Sequence, residues 1–177
     1  MKIETKRLNI RLAEISDASS IIHFYKRNHD HLSPWSPKQP NNFMDTEFWS
    51  ERISKYKLEY SKQQSLKACL FTKSGELIGR CNFTNVERGS FQNCRLGYKL
   101  DHEYEGKGYM SEALDALIQV IFNEFKIHRI EANVIPSNTK SRKLLERLGF
   151  EEHGIAKSYL KIDGKWQDHV LTSLLSK

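Results

Sequence analysis

Residues 96–111, Leu96-Gly97-Tyr98-Lys99-Leu100-Asp101-His102-Glu103-Tyr104-Glu105-Gly106-Lys107-Gly108-Tyr109-Met110-Ser111, constrain this chain more than any other stretch. Cys94, Leu96, Tyr98 and Leu100 fall on one face at period two, which predicts a strand. Met110, Ala113, Leu114, Leu117, Ile118, Ile121, Phe122 and Phe125 recur at i, i+3, i+4, which predicts a helix. Gly106-Lys107-Gly108 therefore opens directly onto a helix N-terminus, where free backbone N–H groups and the positive end of the helix dipole can face an anion. Glycines let the backbone approach that anion closely, because no Cβ intervenes. A diphosphate is the guest this arrangement suits. The same spacing also fits an ordinary tight turn between strand and helix. Neither common nucleotide loop matches: the dinucleotide fingerprint needs a glycine where Ser111 stands, and the P-loop needs Ser or Thr where Gly108 stands.

In chain order, Leu8-Asn9-Ile10-Arg11-Leu12 alternates as a first strand, and Asp17 is positioned to cap a helix with Ala18, Ile21, Ile22 and Tyr25 on one side. His31 to Pro40 carries three prolines, which argue against helix, and a tryptophan, Trp35, suited either to binding or to plugging the edge of a core. A second helix begins at Asp45 or Thr46, with Trp49, Ile53, Tyr56 and Tyr60 inward. Strands follow at 66–72, 76–86 and 91–100, the first two joined by the turn Lys73-Ser74-Gly75. After the helix at 109–125 come a strand over 128–135 and a helix from Asn138 with Leu144, Leu145 and Leu148 inward, stopped at Gly149. Tyr159 to Ile162, Asp163-Gly164 and Lys165 to Leu175 predict a hairpin. The order β-α-α-β-β-β-α-β-α-β-β is mixed α/β, and 177 residues without a linker or repeat predict a single domain over 1–177.

Composition narrows the functional classes. No apolar run approaches the roughly 18 residues of a membrane span, and the N-terminus lacks a signal-peptide core. Cys69, Cys81 and Cys94, odd in number and without C-x-x-C spacing, predict buried thiols in a reducing cytoplasm. No histidine pattern has metal-ligand spacing, so no metal is expected. A net charge of +6 favours an anionic partner, whether cofactor phosphates, nucleic acid or a ribosomal surface.

Glu105-Gly106-Lys107-Gly108-Tyr109-Met110 resembles the acetyl-CoA pyrophosphate loop of the GNAT N-acetyltransferases, Gln/Arg-x-x-Gly-x-Gly/Ala, with Glu105 and Met110 as departures. The element order is also theirs. Trp35 with its prolines, Asn82 to Val86, Arg88-Gly89-Ser90-Phe91, Leu96-Gly97-Tyr98, Glu112-Ala113-Leu114, His128-Arg129-Ile130, Arg147-Leu148-Gly149-Phe150 and Ile162 to Leu171 resemble the RimJ/RimL branch over nearly the whole chain. Within that branch they are most similar to the ribosomal-protein-alanine N-acetyltransferases. The resemblance implies a central twisted mixed sheet flanked by helices, acetyl-CoA as co-substrate, a ribosomal protein N-terminus as acceptor with association to the ribosome, and direct attack of the amine in a ternary complex.

It also implies site residues. Tyr98, Lys99 and Leu100 would run beside the pantetheine arm, with a backbone N–H there donating to the thioester oxygen. Gly106, Lys107, Gly108, Tyr109, Met110 and Ser111 would hold the diphosphate. Asn138 would contact the pantetheine arm and Ser141 would protonate the CoA thiolate. Read from the residues alone, Asn138 is a helix N-cap and Ser141 completes a weaker form of capping box. Ser141 also shares the helix face of Leu144, Leu145 and Leu148, so it points inward and needs a partner. Trp35 and Tyr159 are candidate acceptor-binding residues.

The general base has no clear candidate. Arg95 stands where many relatives carry glutamate, leaving Glu103 and Asp168 as candidate catalytic acids, although Glu103 also reads as a solvated loop residue and Asp168 as a structural carboxylate. This bears on the substrate. At pH 7, deprotonating an α-amine (reference pKa about 7.7–8) costs about 1 kcal/mol, whereas a lysine amine (about 10.4) costs about 4.6 kcal/mol. A site without a strong base suits an α-amine. The competing readings are an acetyltransferase for a small amine or antibiotic, and a catalytically silent ribosome-binding protein whose Lys126, His128, Arg129, Lys140, Arg142, Lys143 and Arg147 meet phosphate backbone.

Overall fold

The computed structural model describes residues 1–177, arranged on one eight-stranded sheet. The strands are β1 (Lys2–Glu4), β2 (Leu8–Leu12), β3 (Leu66–Thr72), β4 (Leu77–Glu87), β5 (Asn93–Leu100), β6 (Arg129–Glu131), β7 (Glu151–Ile162) and β8 (Lys165–Leu175). The helices are α1 (Ala18–Arg27), α2 (His29–Leu32), α3 (Thr46–Ser61), α4 (Tyr109–Asn123) and α5 (Thr139–Arg147). Spatial order is β1-β2-β3-β4-β5-β6-β8-β7. Every neighbouring pair is antiparallel except β5 with β6. The parallel pair needs a crossover, and α4 supplies it.

Alternation of apolar residues divides the core between the two sheet faces. Leu66, Ala68, Leu70, Cys81, Phe83, Cys94 and Leu96 meet α4 and α5 through Leu114, Leu117, Ile121, Leu144 and Leu145. On the opposite face Cys69, Phe71 and Leu77 meet α1 and α3 through Ile21, Phe24, Trp49 and Ile53. The three cysteines are free and buried, as expected from their place in strands.

The gap that matters lies between β5 and β6. They pair only at Asn93 to Arg95 with Arg129 to Glu131, after which the two strands diverge. Antiparallel bonds alternate along a strand, and Asp101 N–H donates to Ile78 O at 2.8 Å. In that register the amides of Tyr98 and Leu100 face away from β4, into the gap.

Four sequence expectations change. The proline segment contains helix after all: α2 runs into a 3-10 turn over Ser33–Trp35, where Pro34 occupies a first-turn position that needs no N–H. The strand expected over 128–135 is formally only Arg129–Glu131, although Ala132 and Val134 still donate to Thr172 and Val170 across β8. β7 begins at Glu151, well before Tyr159; its Glu151-Glu152-His153-Gly154 start is exposed edge strand without apolar alternation, so no period announced it. Asp17 adjoins α1 without capping it, because its carboxylate accepts from Arg11 (2.6 and 2.9 Å) and from the Glu14 amide.

Candidate active site

The divergence of β5 from β6 opens a cleft of about 480 Å³. Its walls are the free edge of β5 (Tyr98, Lys99, Leu100), the loop and first turn of α4 (Gly106, Gly108, Tyr109, Met110, Ser111), the start of α5 (Asn138, Ser141, Leu144) and the α2 segment (His31, Trp35, Ser36).

The α4 end is shaped to receive an anion. Gly106 and Gly108 have φ of +70° and +80°, which only glycine adopts cheaply, and Gly108 is the left-handed N-cap of α4. None of the amides of residues 106–111 donates to an acceptor within the protein. The loop is braced from behind. Arg7 donates from Nη1 to the Lys107 carbonyl at 2.7 Å and from Nε to Glu112 at 2.6 Å, and its guanidinium covers the Tyr109 ring at 4.3 Å. Glu112 also accepts from Thr5 Oγ1 and the Arg7 amide. Burial alone would raise the Glu112 carboxyl, but the bonds from Thr5 and Arg7 outweigh it and hold the group below the usual carboxylate range.

On the opposite wall Asn138 caps α5, its Oδ1 accepting from the Ser141 amide at 3.1 Å. That leaves the Ser141 hydroxyl free for the cleft, where it shares a 2.5 Å hydrogen bond with Tyr98 OH. Burial pushes the Tyr98 phenol up to about 12, so it stays protonated at neutral pH and has a proton to donate in its bond with the Ser141 hydroxyl.

Trp35 is 40 % exposed and lines the cleft, so it does not serve as a plug for the core. The only carboxylate on the cleft wall is Glu105, held at the mouth between His31 Nε2 (2.9 Å) and Lys140 Nζ (2.6 Å). Other candidate residues lie outside these walls. Lys107 turns its ammonium toward the Tyr104 ring, and only its carbonyl serves the loop, through Arg7. Glu103 sits exposed on a short 3-10 turn, its amide bonded to Asp101. Asp168 lies on β8, accepting from Lys157 at 2.8 Å and from the Ser158 amide at 2.9 Å. Tyr159 OH accepts from Asn133 at 3.1 Å. The last two join strands and loops near the hairpin, so neither adds a carboxylate or ring to the cleft.

Sequence reasoning missed the Arg7–Glu112 brace, the Tyr98 partner of Ser141 and the anchor beneath the loop. Asp101 is 1 % exposed and accepts from Arg27 and Asn28, tying the end of β5 to the end of α1. Glu112 had one visible signal, an acid in a helix first turn.

Residues 7–151 match the acetyltransferase (GNAT) domain. The chain belongs to the GNAT acetyltransferase family. It is 41% identical over 175 residues to the [ribosomal protein uS5]-alanine N-acetyltransferase of Escherichia coli, spanning 98% of this chain and 90% of that one. The crystal structure of a ribosomal-protein-S5-alanine acetyltransferase from Vibrio fischeri superposes with a TM-score of 0.94 at 37% identity, covering 99% of this chain and 96% of the other. RimJ of Mycobacterium smegmatis, solved with a CoA-disulfide, gives 0.88 at 29% identity, covering 96% and 82%. In this GNAT N-acetyltransferase, residues 105–110 join the end of the β5 segment to the first turn of α4.

Proposed function

We propose that this GNAT enzyme transfers the acetyl group of acetyl-CoA to the N-terminal α-amine of an alanine-starting ribosomal protein, by direct attack of the amine in a ternary complex. The observation that carries the reading is the row of unpartnered amides at 106–111, continued by the inward amides of Tyr98 and Leu100. On this reading the first set receives the CoA diphosphate and one of the second donates to the thioester oxygen, where charge develops as the amine attacks. Asn138 lies along the pantetheine arm, and Ser141, resupplied by Tyr98, protonates the departing thiolate, while the attacking nitrogen sheds its extra proton to water in the cleft, from which Tyr98 regains one. Trp35 covers the acceptor side. The lack of any cleft carboxylate other than Glu105 supports an amine that reaches the site already neutral, which favours an α-amine over lysine. The whole chain, residues 1–177, works as one domain, in the cytoplasm and in association with the ribosome, toward which its +6 charge would draw it.

An acetyl-CoA consumption assay against N-terminal peptides beginning Ala, Ser and Met, beside spermidine and a lysine-only peptide, tests this. The alanine peptide should turn over fastest, and Trp35→Ala should raise its KM while leaving the KM of acetyl-CoA alone. Faster turnover of spermidine would reassign the enzyme to small amines. No turnover of any amine would favour the silent ribosome-binding reading.

A further inference from the structure

Lys99 lines the cleft, but the acetyl-transfer chemistry does not use its side chain. Alternation along β5 sends it to the sheet face opposite Tyr98 and Ser141, toward α1 and the α2 segment. Its Nζ donates to Ser36 Oγ and lies 5.5 Å from the centre of the Tyr25 ring. Directly across the strand pair stands Arg80, 2 % exposed, its guanidinium 4.9 Å from the Trp49 ring and bonded to Tyr25 OH at 3.2 Å, with Nε unpartnered. Neither cation has a carboxylate partner. Two like charges facing each other across a strand pair, half-buried and buried, are costly unless a counter-ion arrives.

Space for one exists. Lys99 and Ser36 form a shared wall between the cleft and a second cavity of about 290 Å³ under residues 33–44. That cavity is lined by Tyr25, Phe43, Gln39 and Asn41, with Lys38 and His29 also on its wall. Asp163 is its one acid, and its amide donates to the Ser36 carbonyl, fixing the β7–β8 turn against the loop.

We propose that this second cavity is an acceptor subsite in which Lys99 receives the carboxylate of an acidic side chain just behind the acceptor's N-terminal residue. The inference rests on the α-amine reading above and deepens it: the protein would select N-termini carrying Glu or Asp within the first few residues. An extended chain advances about 3.3 Å per residue, so a side chain two or three residues behind the reacting amine reaches the adjoining cavity. The state of Lys99 agrees. Burial first, and then the charge of Arg80, pulls its ammonium down to about 8, as expected of a cation awaiting a partner.

The test uses peptides beginning with Ala and carrying Glu or Gln at position two, three or four, on full-length enzyme. Binding is read by calorimetry on the CoA-saturated protein, and turnover is read separately. The wild type should prefer Glu to Gln by about tenfold at one of these positions, the scale of a single well-placed charge pair. Lys99→Met should bring that ratio to about one, and Lys99→Arg should restore part of it, which a merely structural role for Lys99 would not do. Lys99, faced by Arg80 from β4, Tyr25 from α1, Asp163 from the hairpin turn, and Lys38 and His29 from the loop wall, titrates near 8. The preference should thus be full below pH 8 and fade above it. Equal affinity for Glu and Gln peptides in the wild type, or a preference that survives Lys99→Met, would overturn the subsite. Selective binding of the acidic peptide without acetylation would leave the subsite standing and overturn the assigned reaction.

Discussion

Gly108→Val will weaken CoA binding at least tenfold in calorimetry. Gly108 has φ +80°, and a β-branched residue there carries a backbone penalty of about 1–2 kcal/mol. Its Cβ would also come within 3.3 Å of the Arg7 guanidinium, the group that holds the Lys107 carbonyl and Glu112 in place. Either the loop leaves its left-handed conformation or the Arg7 brace shifts, and both turn the amides of 106–111 away from one another. Because Arg7 ends in a flexible side chain, Gly108→Ala should lose less. Gly106 has open space around it, so Gly106→Ala tests conformational strain alone. A Gly108→Val enzyme that binds CoA as tightly as the wild type would remove the loop from the diphosphate site.

Ser141→Ala should lower kcat about a hundredfold, the lower end of what a positioned acid contributes, because a thiolate leaves readily even without a proton. The KM of acetyl-CoA should hardly move, since the lost interaction belongs to the transition state. The cap provides an internal control: Ser141 engages Asn138 through its amide, which alanine retains, so α5 keeps its first turn. Tyr98→Phe should have a milder effect, because Ser141 can still give its own proton and lacks only resupply. An unchanged kcat in an assay limited by chemistry would reduce Ser141 to a helix-start residue.

The division between what could and could not be read from the chain has a physical basis. The α4 stripe, the Asn138 cap and the 163–164 turn are local, so their periods and turn residues were visible. Asp163 and Gly164 do adopt the two positive φ values that a tight hairpin turn needs. The cleft's glycines were visible for the same reason. Its working contacts were not, because they join distant residues: Arg7 to Glu112, Tyr98 to Ser141, Lys99 to Ser36. Each depends on register between elements, which no local pattern encodes. β7 escaped because an exposed edge strand has little hydrophobic alternation to display. Glu103 and Asp168 were reached by elimination among acids, and Asp168 instead bonds to Lys157 and the Ser158 amide.

The central claim is acetyl transfer to a self-supplied neutral α-amine. A single peptide beginning with alanine and containing one internal lysine puts both amines in the same tube at the same concentration. Tandem mass spectrometry on the first turnovers should find the acetyl group on the α-amine alone. Acetyl on the lysine side chain, at a comparable or faster rate, would contradict the account.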